Sequence, residues 1–178
     1  ETVDRALSRW GFPVGPFQLL DEVGLDVAAK SGQIMLDAFG ARMPAAPALR
    51  RVLESGRLGR KDRQGFYAYD GDGQRSGVDR TVYGVAGVAE PRPNGGRDAA
   101  SNPAPSDEEI VVRCVYPMLD EAVRCLEDEI LRAPRDGDVG AVFGIGYPPF
   151  RGGPFRTLDA LGAAVVVQAL DALAARPG

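Results

Sequence analysis

Asp21 and Asp159 come first among residues that could do chemistry, because they occupy the same place in two copies of one segment. The first copy reads Gly11-Phe12-Pro13-Val14-Gly15-Pro16-Phe17-Gln18-Leu19-Leu20-Asp21-Glu22-Val23-Gly24. The second reads Gly146-Tyr147-Pro148-Pro149-Phe150-Arg151-Gly152-Gly153-Pro154-Phe155-Arg156-Thr157-Leu158-Asp159-Ala160-Leu161-Gly162. Aligned on Gly-Pro-Phe, the offset is 138, and it also takes Leu20 to Leu158, Asp21 to Asp159, Gly24 to Gly162 and Val27 to Val165. Two carboxylates can divide acid and base roles between them. Duplication already accounts for this pair, however. The simplest task for each is to accept hydrogen bonds from backbone N–H groups in the turn beside it.

The other reactive groups narrow the chemistry further. The chain has no histidine, so a Ser–His or Cys–His pair is excluded within it, and the commonest general base and metal ligand are missing. No catalytic residue, cofactor-binding residue or metal ligand is assigned within these residues. Cys114 and Cys125 lie 11 residues apart in one expected helix. At 1.5 Å rise per residue they stand roughly 16 Å apart, too far for a disulfide, and both are expected to face the core as free thiols in a reducing compartment. Gly144-Ile145-Gly146 opens like a dinucleotide loop, but Pro149 stands where the third glycine belongs, and a helical pattern precedes it rather than a strand. The segment Gly56-Arg57-Leu58-Gly59-Arg60-Lys61-Asp62-Arg63-Gln64-Gly65-Phe66-Tyr67-Ala68-Tyr69 is basic and rich in turn residues. It reads either as a solvated loop or as a site for a phosphorylated ligand or another domain.

Elements must position these residues. Val3, Ala6, Leu7 and Trp10 have helical spacing, and the Gly-Phe-Pro-Val-Gly-Pro elbow breaks that helix. Pro16 suits the first turn of the next helix, which carries Phe17, Leu20 and Val23 and ends at Gly24. A longer helix is expected from Asp26, as N-cap, to Arg42, and a shorter one after Pro44 and Pro47 through Leu49, Val52 and Leu53. From Asp70 to Pro105 the composition is that of a linker, with Val82, Tyr83 and Val85 as anchoring points. Ser106 and Glu109 form a capping box ahead of the strongest helical pattern, which runs from Ile110 to Ile130 with Pro117 inside it. A short helix through Val139, Val142 and Phe143 leads to the second elbow. One final helix is expected from Pro154 to Ala175. Each elbow is compact, rigid backbone between helices. Its bland role is helix packing, and its functional role is a rigid apolar wall against a bound acyl chain.

The bulk numbers fit a globular chain of one domain or two small ones: 178 residues, 44% apolar and 26% charged. A net charge of -4 disfavours nucleic acid as the main partner. No apolar run reaches the roughly 20 residues of a membrane span, and no signal-peptide pattern opens the chain. The first residues already carry a helical pattern, so the sequence is expected to be a fragment.

Gly-Phe-Pro-Val-Gly-Pro-Phe-x-Leu-Leu-Asp-x-Val-Gly-Leu-Asp at 11–26, followed by Gly-Arg-Leu-Gly-Arg-Lys-x-x-x-Gly-Phe-Tyr at 56–67, resembles the C-terminal helical domain of 3-hydroxyacyl-CoA dehydrogenases. The stretches Arg113-x-x-x-Pro117-Met118-x-x-Glu121-Ala122-x-Arg124-Cys125-Leu126-Glu127 and Gly144 to Gly153 are similar to the end of the multifunctional fatty-acid oxidation α-subunit. The resemblance implies an all-α fold. It would be a tandem repeat of the 6-phosphogluconate-dehydrogenase-C-terminal-like helical domain, packed as a pseudo-dimer. Residues 1–70 would form a first repeat with a truncated opening helix, 71–105 a linker and 106–178 a second repeat. It implies a parent enzyme that oxidises 3-hydroxyacyl-CoA with NAD and also hydrates 2-enoyl-CoA, with the NAD-binding Rossmann domain and the hydratase domain upstream.

Within this chain the resemblance assigns Phe12, Pro13, Val14, Gly15 and Pro16 to an acyl-CoA substrate wall. A functional Asn of the family's opening helix would align with Val112, which makes the second copy structural. A thiolase β-subunit is the implied partner and the cytoplasm the implied location. The fragment would be inactive alone, and truncation would expose Leu7, Trp10 and Phe17 and promote self-association. A stand-alone helical interaction module is the competing reading.

Overall fold

The computed structural model describes residues 1–43, 46–90 and 105–175. It is helical, as expected, with nine α-helices and one small hairpin among the described residues. The chain divides into two units, and the division does not follow the expected boundaries. One unit is Pro16–Pro103 together with Glu1, and the other is Thr2–Gly15 together with Ala104–Gly178.

In the first unit, α2 (Pro16–Val23) leads through Gly24 into α3 (Leu25–Phe39), followed by α4 (Pro47–Glu54), strands β1 (Tyr67–Tyr69) and β2 (Arg75–Val78), and α5 (Thr81–Ala86). Leu25, Val52, Val82 and Ala86 form its core, with Leu20, Leu53 and Phe66 packed against them. The expected linker is therefore partly structured. β2 pairs antiparallel with β1, matching Tyr67 with Val78 and Ala68 with Gly77. The Asp-Gly-rich composition serves the hairpin turn instead: the Asp70 carboxylate accepts from the Asp72 and Gln74 amides at 3.0 and 2.8 Å. Val82, read as an anchor, is part of the core itself. Residues 91–104 lie outside the described residues.

α3 starts one residue before the expected cap and ends at Phe39, and a 3-10 turn at Gly40–Arg42 follows. Gly24 takes the cap position, with φ 99° and ψ 130°, while Asp26 pairs with Lys61. Pro44, expected to end this helix, is outside the described residues.

The second unit is built on α6 (Asp107–Glu127). Ser106 caps it as the sequence indicates, its hydroxyl accepting from the Glu109 amide at 3.1 Å. α1 (Thr2–Trp10), α8 (Pro154–Leu161) and α9 (Ala163–Ala174) pack on α6, and α7 (Pro134–Ile145) precedes the second elbow. Leu7, Val115, Leu119, Tyr147 and Val166 form the core. α1 thus packs in the second unit, because its apolar face is buried on the long apolar face of α6. Leu7 is in the core and Trp10 packs against it, so neither is the exposed surface expected from truncation.

The single final helix is also two helices. Gly162 has φ 87° and ψ 124°, a conformation that only glycine adopts without strain, and α8 and α9 meet there at a bend of 94°. No single helix among the described residues is long and apolar enough to cross a membrane; α8 and α9 together pass by length and composition.

Candidate functional site

The elbow of the first copy closes on an aromatic cluster in the second unit. Trp10 stacks on Phe12 with ring centroids 5.5 Å apart and 24° between planes. Both meet Tyr147 edge to face, at 5.5 and 5.8 Å. Arg151 lies over the Trp10 ring at 3.9 Å, and its Nε donates to the Trp10 carbonyl at 3.0 Å. Tyr147 is 1% exposed, and its hydroxyl donates to Thr157 Oγ1 at 2.9 Å. Burial, more than any neighbour, pushes the Tyr147 phenol above its ordinary range, so it stays neutral. The sequence gives no site role to Trp10, Arg151 or Thr157, because their partners lie on other elements. The doubled Gly-aromatic-Pro signal marked only the ring positions Phe12 and Tyr147.

The expected acyl wall does not fall within one unit. Phe12 is half-buried in the aromatic cluster, Pro13 is exposed and borders Gly146, Val14 is half-buried and Gly15 is buried. Pro16 begins α2 in the first unit. Gly15 is required by Asp4: a Cβ there would stand 2.2 Å from the Asp4 Cβ. Gly153 repeats this against Asp138, with a Cβ 2.4 Å from Asp138 Oδ1. Asp138 is buried and accepts from the Phe155 amide at 2.8 Å and the Arg156 amide at 3.4 Å, so it caps α8. The carboxylates that recur in three dimensions are Asp4 and Asp138. The second elbow is three residues longer than the first, which moves everything upstream out of the 138 register.

The aligned pair Asp21 and Asp159 diverges. Asp21 is 1% exposed and accepts from the Phe66 and Tyr67 amides, each at 2.9 Å, and from the Tyr69 hydroxyl at 3.1 Å. Its partners are backbone amides, as expected, but on a distant strand and not in the neighbouring turn. Burial first, and the Asp21 charge second, push the Tyr69 phenol far up. Asp159 is exposed. The Asp21 hydrogen bonds tie α2 to β1.

The basic segment is largely spent inside the first unit. Arg57 is buried and donates to Asp79 Oδ2 at 2.7 Å, to the Gly65 carbonyl at 2.9 Å and to Thr81 Oγ1. Arg60 pairs with Glu22 at 2.8 Å and Lys61 with Asp26. These contacts give the segment an internal structural role. Arg63 is exposed, at φ 68°. Gly144-Ile145-Gly146 sits at the C-terminal end of α7, which presents carbonyls rather than N–H donors to a phosphate. The strands among the described residues form one antiparallel pair. These residues do not fit a dinucleotide site. Cys114 packs against the core, and burial raises its thiol, whereas Cys125 is half-buried on the same helix.

A groove of about 690 Å³ in the second unit is lined by Trp10, Tyr116, Phe150, Arg151, Thr157 and Val112, among others. Val112 offers it only an apolar side chain.

Comparison with known proteins converges on one group. Residues 1–69 match the family model of the 3-hydroxyacyl-CoA dehydrogenase C-terminal domain. The chain is 48% identical over 172 residues to the fatty acid oxidation complex subunit alpha of Shewanella baltica (strain OS185), covering 96% of this chain and 23% of that protein. It is 44% identical over 178 residues to the protein of that name from Idiomarina loihiensis, covering 100% of this chain and 24% of the relative. The chain thus spans about a quarter of the length of these relatives. Among solved structures, the dehydrogenase part of multifunctional enzyme 1 from C. elegans matches with a TM-score of 0.54 and 24% identity, over 74% of this chain and 27% of that one. Residues 1–69, from α1 through the first elbow to strand β1, are thus the part of this chain that is similar to the 3-hydroxyacyl-CoA dehydrogenase C-terminal domain family.

Proposed function

We propose that this chain is part of a multifunctional fatty-acid oxidation enzyme that oxidises 3-hydroxyacyl-CoA to 3-ketoacyl-CoA with NAD and also hydrates 2-enoyl-CoA. The observation that carries this reading is the identity of 48% to fatty acid oxidation complex subunit alpha over nearly the whole chain. The misfit of Gly144-Ile145-Gly146 to a dinucleotide loop supports assigning NAD to a Rossmann domain elsewhere in the parent, and hydration to a hydratase domain. The chain's own contribution is scaffold and part of the acyl pocket, with Phe12, Pro13, Val14, Gly15 and Pro16 as the wall.

The tandem repeat and its pseudo-dimeric packing belong to the same reading. The repeat is supported by Gly24 and Gly162, which take φ/ψ of 99°/130° and 87°/124° at aligned positions. A cytoplasmic location, docking of a thiolase β-subunit, and self-association of the isolated piece through its exposed apolar residues follow from it.

Purified residues 1–178 incubated with 3-hydroxyacyl-CoA and NAD are expected to give no NADH fluorescence, while the parent does. NADH formation by the piece alone would refute its inactivity. An intact parent that makes none would overturn the dehydrogenase reading.

A further inference from the structure

The groove of about 690 Å³ in the second unit holds a cation that its own lining leaves unmatched. Its volume is in the range of small-molecule sites, about 300–1,000 Å³. Val111 and Val112 of α6, with Ala160 and Leu161 of α8, give it apolar walls. Its charged residues are Arg9, Asp107, Glu108 and Arg151. Asp107 is matched by Arg9 at 3.0 Å and by Arg5 at 3.8 Å. Glu108 is exposed and therefore hydrated. Arg151 is half-buried against the Trp10 and Phe150 rings, 3.9 and 5.5 Å from their centroids.

Arg151 spends its Nε on the Trp10 carbonyl at 3.0 Å, and among the described residues no carboxylate pairs with its guanidinium. The terminal N–H groups remain, in a planar fork that meets a carboxylate with two parallel hydrogen bonds. A guanidinium partly withdrawn from water gains more from such a pair than an exposed one. Thr157 adds a hydroxyl to the lining: its oxygen accepts from Tyr147, so its own proton is left to give. One cation beside apolar walls suits one anionic head on an apolar body. A sugar or a nucleotide would bury more polar groups against Val111, Val112, Ala160 and Leu161 than these residues could pair.

We propose that this groove binds a free fatty acid, its carboxylate paired with Arg151 and its alkyl chain along Val111, Val112 and Leu161. The site is separate from the acyl wall proposed above, because none of Phe12 to Pro16 lines it. An ester of the same chain has no charge to offer Arg151, so the groove takes the acid and not the ester. The proposal does not depend on dehydrogenation by the parent.

The test uses the full-length parent and decanoic acid carrying a diazirine at the far end of its chain, irradiated and mapped by peptide mass spectrometry. Labelling of the peptides that hold residues 111–116 and Leu161 is expected. It should fall about ten-fold with the methyl ester of the probe and in Arg151→Leu, for loss of one charge-assisted pair. No label on these peptides, or equal labelling by acid and ester, would overturn the proposal. Arg151 also holds the Trp10 carbonyl, so Val112→Trp serves as a second variant, which fills the groove and leaves that bond in place. Its labelling is expected to fall as far, with the far-UV circular dichroism of the unaltered parent. Full labelling of a folded Val112→Trp protein would put the probe outside the groove and end the proposal.

Discussion

Asp21 lies directly over the α-carbon of Gly65: a Cβ built there would stand 2.1 Å from Asp21 Oδ1. The approach lets one carboxylate gather the Phe66 and Tyr67 amides and the Tyr69 hydroxyl. Asp21→Asn replaces an acceptor-only group by one with a single acceptor oxygen and a donor facing donors. The expected loss is about 2–3 kcal/mol in urea unfolding followed by far-UV circular dichroism. Asp159→Asn, at the aligned but exposed position, is expected to stay within about 0.5 kcal/mol. Equal losses at both positions would show that the duplication preserves the role.

The Arg57–Asp79 pair gives the first unit an acid sensitivity. The two side chains are 7% and 11% exposed. Burial alone would raise the Asp79 carboxyl, but hydrogen bonds from Thr81, Gln64 and Arg57 outweigh it and hold it down at about 2, against an ordinary 3.8. A folded value below the unfolded one contributes stability fully above about 3.8, and this is lost as the pH falls toward about 2. The contribution is about 2 kcal/mol. Asp79→Asn is expected to flatten the dependence of unfolding free energy on pH between about 4 and 2, measured by urea titration at each pH. An unchanged slope would remove Asp79 as its source.

Tyr147 and Thr157 form a buried pair whose loss is asymmetric. Thr157→Val removes the acceptor of a phenol that is 1% exposed, leaving it unpaired at a cost of about 1–3 kcal/mol. Tyr147→Phe removes only the donor and is expected to cost less, about 1 kcal/mol, since Thr157 can turn its own hydroxyl to another acceptor. Thermal unfolding of the two variants side by side gives the order, and the reverse order would contradict this account.

Gly24 and Gly162 hold the same positive-φ hinge in the two units. Alanine at either is expected to cost about 1–3 kcal/mol in backbone strain. Gly24→Ala should be the worse of the two. Its Cβ would meet Asp26 Oδ1 at 3.0 Å and Lys61 Nζ at 3.2 Å, whereas nothing lies within 4 Å of the Cβ at Gly162. Equal melting temperatures for the two variants would mean that strain alone decides the loss.

Much of the fold was legible because its signals are local. The Ser106 cap, the elbow glycines and prolines and the long apolar face of α6 all sit where the sequence indicates. The final helix was misread because alanine- and valine-rich periodicity runs through Gly162 without interruption, and only the φ of 87° reveals the break. The candidate site was legible by half. Phe12 to Pro16 stand out by composition, but Arg151 reaches Trp10 across 141 positions, and no spacing rule covers that distance.

The amino-acid sequence by itself determined the helical class, the duplication and its glycine hinges, and the family resemblance that fits residues 1–69. These depend on short-range backbone preference and on motif identity, which a linear string carries in full. Tertiary structure decided that α1 joins α6, that the supposed linker supplies Val82 to a core, and that Asp138 rather than Asp159 caps α8. An apolar stripe or a carboxylate specifies what kind of partner it needs. Which partner it finds depends on the rest of the chain arriving in space.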